Sequence, residues 1–129
     1  MRRTWLAGAL AFALSACEQD VPAAYRSAAI PEARLSDPAA RERGARLFAR
    51  HCALCHGERG DGRGARRLGL STPPRDLTDP GWQGRTSPLR MFAVLREGVP
   101  GTAMPAWSGT LSADDTWDVV AHVRSLSIR

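Results

Sequence analysis

The sequence predicts an all-α domain with three main helices and long loops, on three observations. Three segments carry apolar residues at helical spacing, and each opens on a side chain suited to cap a helix. Gly- and Pro-rich stretches separate them, with no sustained strand alternation and no internal repeat. At 129 residues the chain has room for a single domain.

The first helix is expected in "SDPAARERGARLFARHC". Asp37 suits the N-cap and Pro38 the first helical position, where its missing N–H costs nothing. Ala40, Ala45, Leu47 and Phe48 form its apolar stripe. The second, "SPLRMFAVLREG", repeats the device with Ser87 and Pro88 and stops at Gly98. Leu89, Phe92 and Leu95 supply its buried face, and Met91 reads as core filling. The third, "SADDTWDVVAHVRSL", has Ser112 and Asp115 spaced as a capping box. Trp117, Val119, Val120, Val123 and Leu126 mark its buried side, with His122 a partly buried member.

Ahead of these helices, the basic "MRR" and the apolar "TWLAGALAFAL" read as an export signal over residues 1–16. The run is shorter than the roughly 20 apolar residues that a spanning helix needs. The "LSAC" that follows resembles the lipobox of bacterial lipoproteins, with Leu14, Ser15 and Ala16 ahead of Cys17. That resemblance implies lipidation of Cys17 and anchoring on the periplasmic side of a bacterial membrane. Ordinary secretory cleavage near Ala16 is the alternative, and would leave a soluble periplasmic protein. Residues 17–36, rich in Ala and Pro without an apolar period, are expected to form a tether, and the compact domain to occupy 37–129.

All 18 basic residues are arginine, against 13 acids; losing Arg2 and Arg3 with the signal would lower the formal charge from +5 to about +3. Acids are interspersed among the arginines, which argues against a nucleic-acid surface. A domain of roughly 90 residues has a marginal core of its own. Long loops around so small a core call for a large apolar group at the centre.

"HCALCHGERGDGRG" identifies that group. On a helical turn Cys52, Cys55 and His56 share one face, so two thiols can form thioethers with a haem while the imidazole reaches its iron. A structural zinc site wants a second Cys/His pair, and the remaining cysteine is the distant Cys17. A thioredoxin-like pair wants a βαβ setting, which is absent. Covalent haem c is therefore the expected cofactor. For the second axial ligand the candidate is Met104, in the polar Gly/Pro loop "GVPGTAMPAW". His122 is its main competitor, and His51 reads as a solvent-side neighbour of Cys52.

With "CALCHG", "GTAMPAW" and the helix order in hand, Pro38 to Leu126 resembles the class I cytochrome c family, small monohaem bacterial cytochromes included. The resemblance implies a cytochrome c fold, with iron held by His56 and Met104. Gly44 and Phe48 match the family's N-terminal helix, whose glycine lets the first and last helices cross closely. The partner position on the last helix, usually aromatic in the family, falls on His122. It further implies a loop proline carbonyl, from Pro73 or Pro74, on the second nitrogen of His56. Leu77, Trp82 and Trp107 would pack near the porphyrin; Arg75 and Arg85 read first as solvated arginines, with pairing of one of them to a propionate as the alternative.

The function so implied is transfer of single electrons between respiratory redox partners, such as a respiratory complex, oxidase or reductase. Arg59, Arg63, Arg66 and Arg67 read first as a solvated loop, with steering of an acidic partner as the alternative. The alternatives are a relay subunit of a larger oxidoreductase, or a gas- or peroxide-binding protein if Met104 is not a ligand. No Ser/His/Asp or paired-carboxylate set is assignable, so catalysis by this chain alone is not expected.

Overall fold

The computed structural model describes residues 21–128. The expected signal peptide and Cys17 lie outside these residues. Among the described residues six α-helices occur in chain order: α1 Glu32–Ser36, α2 Pro38–His51, α3 Ala53–His56, α4 Pro80–Arg85, α5 Pro88–Glu97 and α6 Ala113–Ser125. Single 3₁₀ turns lie at Ala23–Tyr25, Ala65–Arg67 and Leu126–Ile128. No strand occurs among the described residues.

The three long helices begin where their caps predicted. Asp37 accepts the backbone N–H groups of Ala39 and Ala40 at 2.9 and 3.2 Å. The Ser87 hydroxyl accepts from Arg90 N–H at 3.1 Å. Ser112 and Asp115 form the reciprocal box, at 3.0 and 3.3 Å. Each cap satisfies donors that the first helical turn leaves without partners. At the other end of α5, Gly98 turns the chain at φ 73°.

α2 crosses α6 at Gly44, which is buried. A Cβ at Gly44 would fall on the backbone carbonyl of Asp118, and would lie 3.0 Å from His122 Cβ. Only glycine permits this approach, and the close partner is main chain one turn before His122. The His122 ring instead tilts against Phe48, with centroids 5.1 Å apart. Phe48, Val119, Val120, Val123 and Leu126 are buried around the crossing, and Leu89, Phe92, Leu95 and Trp117 extend the core beneath α5. Phe92 stacks on Trp117 at 4.3 Å.

Two features correct the sequence reading. The segment expected as a tether is packed from Val21 onward: Val21 is 3% exposed, and Tyr25 meets Phe92 edge-on at 5.9 Å. α1 then brings Arg34 onto α6. The cause is electrostatic as well as apolar, because Asp118 is only 2% exposed and needs countercharge. Arg34 Nη1 reaches Asp118 Oδ1 at 2.7 Å, and Arg43 Nε reaches Oδ2 at 2.8 Å. The compact region therefore includes residues 21–36. The second feature is α4, whose Asp79–Pro80 start repeats the Asp37–Pro38 device; Asp79 accepts from Gly81 and Trp82 at 2.7 and 3.2 Å.

Candidate haem site

α2 ends at Cys52, whose N–H still donates to the Phe48 carbonyl at 2.8 Å. One further turn, α3, carries Cys55 and His56, with the N–H of both directed at the Cys52 carbonyl (3.1 and 2.9 Å). All three side chains face a cavity of about 640 Å³ between this turn, α5, α6 and the loops after α3 and α5. Its size lies within the range of cofactor pockets.

Cys52 is buried and Cys55 half-buried, and no disulfide joins them. Burial pushes the Cys52 thiol up to about 12, with the nearby Cys55 adding to the effect. A thiol held protonated is a poor metal ligand. Among the described residues, no group of three His, Cys, Asp or Glu side chains converges as a structural metal site would require.

His56 Nδ1 lies 3.0 Å from the carbonyl oxygen of Arg75. A carbonyl only accepts, so Nδ1 carries the proton and Nε2 keeps its lone pair. Burial also lowers the imidazole pKa, against the opposing pull of that carbonyl, and favours the neutral ligating form. The acceptor corrects the expectation of Pro73 or Pro74. The reason is a close main-chain crossing at Gly62, where φ is 77°. A Cβ there would sit 2.9 Å from the Pro74 carbonyl oxygen, so that carbonyl is turned toward Gly62 and the next one along meets His56. Gly62 N–H is itself held by the His56 carbonyl at 2.7 Å.

Met104 also lines the cavity, from the loop after α5. Gly98 admits that loop: a Cβ there would come within 2.7–2.8 Å of main-chain atoms of Met104, Pro105 and Ala106. Val99 N–H donates to the Met104 carbonyl at 3.1 Å, and Trp107 N–H donates to Leu95 at 2.8 Å. The Thr102 hydroxyl accepts from Met104 N–H at 3.2 Å. Pro73, Pro74, Leu77, Trp82 and Trp107 all stand on the cavity wall, as do Arg75 and Arg85. The sequence reading did not single out Arg90 or Met91 for the site, yet both line it from α5. His51, expected at the solvent side, is half-buried and tilts against Trp107 at 5.3 Å. His122 is not among the lining residues, whereas Met104 is.

These residues fit a covalent haem. Two thiols and a neutral imidazole come from one turn, a thioether comes from a separate loop, the walls are mainly apolar, and three guanidinium groups can meet carboxylates.

The family model described as cytochrome c oxidase, cbb3-type, subunit III matches residues 39–123. The chain is 36% identical over 93 residues to the cbb3-type cytochrome c oxidase subunit CcoP of Cereibacter sphaeroides, covering 70% of this chain and 29% of that protein. It is 33% identical over 90 residues to subunit FixP of Azorhizobium caulinodans, covering 70% and 28%. The chain thus spans less than a third of the length of these relatives. Among solved structures, the KustC0563 c-type cytochrome superposes with a TM-score of 0.55 at 30% identity, over 64% of this chain and 95% of that one. A chain of the Kuenenia stuttgartiensis reducing HAO-like protein complex gives a TM-score of 0.62 at 25% identity, over 70% and 44%. The fold, the CxxCH turn over its cavity and these likenesses agree: the chain belongs to the family of cytochrome c oxidase, cbb3-type, subunit III, and is a haem c electron-transfer domain.

Proposed function

We propose that this protein is a membrane-tethered, single-haem electron carrier, with haem joined to Cys52 and Cys55 and its iron held by His56 and Met104. The observation that carries this reading is the shared cavity: a tied-back His56 on the CxxCH turn, and Met104 on a loop with anchors of its own. When bound, the haem supplies a one-electron ferrous–ferric couple. The chain's own residues set the conditions for it. Arg75 fixes the imidazole tautomer through its carbonyl, and the neutral sulfur of Met104 favours the reduced metal. Leu77, Trp82 and Trp107 exclude water, and Arg75, Arg85 and Arg90 offer cations for the haem carboxylates.

The partner side is supported by the surface. Leu54 and Leu68 are the exposed large hydrophobics among the described residues, at 57% and 77%. Leu54 lies by Gly64, whose N–H donates to the Cys55 carbonyl and where a Cβ would fall on the Leu54 carbonyl, and Leu68 follows the 3₁₀ turn that Gly64 opens. With the exposed Arg59, Arg63, Arg66 and Arg67 they suit the acidic face of a respiratory redox protein. Relatives named as oxidase subunits favour a second form of the same reading, in which the domain relays electrons within a complex. No helix among the described residues is long and apolar enough to cross a membrane. Attachment would run through a lipid on Cys17, and Cys17→Ala should then release the protein.

Visible spectra of the matured protein, oxidised and reduced, test the ligand set. A low-spin spectrum indifferent to carbon monoxide, with a ferric iron–sulfur band that disappears in Met104→Ala, is expected. A high-spin spectrum that shifts with carbon monoxide would replace the carrier by a ligand-binding protein.

A further inference from the structure

Gln83, on α4, is 4% exposed and lies in none of the sequence motifs. Both donors of its amide and its oxygen are engaged. Nε2 donates to the Leu77 carbonyl and to the Val123 carbonyl, both at 2.8 Å. Its Oε1 accepts from Arg124 Nη1 at 3.2 Å, and its backbone carbonyl accepts from the same nitrogen at 2.8 Å. The amide thus bolts the loop at Leu77 to the last turn of α6. Leu77 is held from its other side by its N–H on the Gly60 carbonyl, at 2.7 Å.

Only Asp76 separates Leu77 from Arg75, the residue whose carbonyl holds His56 Nδ1. Beside it, the main chain at 74–76 crosses Gly62 closely. The Asp76 carboxylate accepts from Thr78 N–H and hydroxyl at 2.8 and 2.6 Å, both local contacts. The Arg75 carbonyl is therefore held by two ties, the crossing at Gly62 on one side and, toward the helical core, the path through Leu77 to Gln83 and Arg124.

We infer that Gln83, braced by Arg124, is a positioning residue for the proximal imidazole: it fixes the Arg75 carbonyl, and through it the orientation and basicity of His56. The inference rests on His56 being the iron ligand. A firm Nδ1–H bond makes the imidazole a stronger donor, which favours ferric iron and lowers the reduction potential. Freeing the loop weakens that bond, so the potential rises.

The test uses the matured holoprotein. Gln83→Met keeps the side-chain length and removes both donors and the acceptor. Two readouts apply: hydrogen exchange of His56 Nδ1–H by NMR in the reduced protein, and the midpoint potential. Exchange is expected to quicken about tenfold or more, and the potential to move upward. Asp118→Ala supplies a destabilised control remote from His56, in which neither readout should change. If Gln83→Met lowers only stability, or moves the potential downward, Gln83 is structural packing and the inference falls. Should Gln83→Met fail to fold, Arg124→Leu carries the same test, since it loosens the amide without altering it. Absence of strongly upfield-shifted His56 ring protons in the reduced unmodified protein, where a ligating imidazole stands over the haem, would instead remove His56 as ligand, a separate failure.

Discussion

The two sides of this domain are built on different principles. On one, α2 crosses α6 at Gly44, side chains fill the space, and Arg34 and Arg43 close on a buried Asp118. On the other, the loops after α3 and α5 arch over a cavity of about 640 Å³ and touch the helices through a few hydrogen bonds. The helix side is held by the protein's own contacts, whereas the loop side is shaped to be completed by a group that the protein binds. A small domain can bury enough apolar surface for one such side, and the cofactor supplies the apolar centre of the other.

The sharpest way to break this contrast is to prevent haem attachment. Cys52→Ala with Cys55→Ala should abolish haem that survives denaturation. Amide exchange should then quicken by about tenfold or more across 60–78 and 99–107, while the centres of α2 and α6 stay protected. Equal loss of protection everywhere would mean that the helix side also depends on haem.

The converse experiment attacks the helix side. Asp118→Ala leaves Arg34 and Arg43 without their shared carboxylate; both guanidinium groups keep part of their water, at 28% and 43% exposed, so the loss should be on the order of 1–3 kcal/mol, short of that for a fully buried pair. Denaturant unfolding should register that loss, while the visible spectrum of the folded protein stays unchanged. A spectral change would show that the two sides are coupled.

The smallest effect belongs to the loop beside His56. Hydrogen bonds from Thr78, the hydroxyl first and then the N–H, lower the Asp76 pKa. Its contribution is therefore present above the unfolded value of about 3.9 and fades as pH falls through the lower folded value. Asp76→Asn should flatten the acid limb of a stability-against-pH curve slightly. An unchanged limb would place the acid sensitivity on other carboxylates.

How much of this was legible depends on the range of each interaction. Asp37, Ser87 and Ser112 declared their helices because a cap acts over three residues. The Asp79–Pro80 start of α4 carried the same signal, over a helix too short to show a period. α1, with five residues, had no periodic pattern, and its place was set by Arg34 reaching Asp118 84 positions away. Pro73 and Pro74 line the cavity, but the carbonyl on His56 belongs to Arg75. A backbone carbonyl has no side-chain signature, and its direction follows from the crossing at Gly62.

By itself, then, the sequence determined the helix starts, the CxxCH turn and the Met104 loop, because each depends on neighbours along the chain and on the chemistry of particular side chains. The tertiary structure alone decided which carbonyl steadies His56, why Asp118 and Gln83 are buried, and that residues 21–36 belong to the folded body. Those outcomes depend on groups far apart in sequence meeting where water is excluded, and a polar side chain declares its burial only when its distant partners arrive.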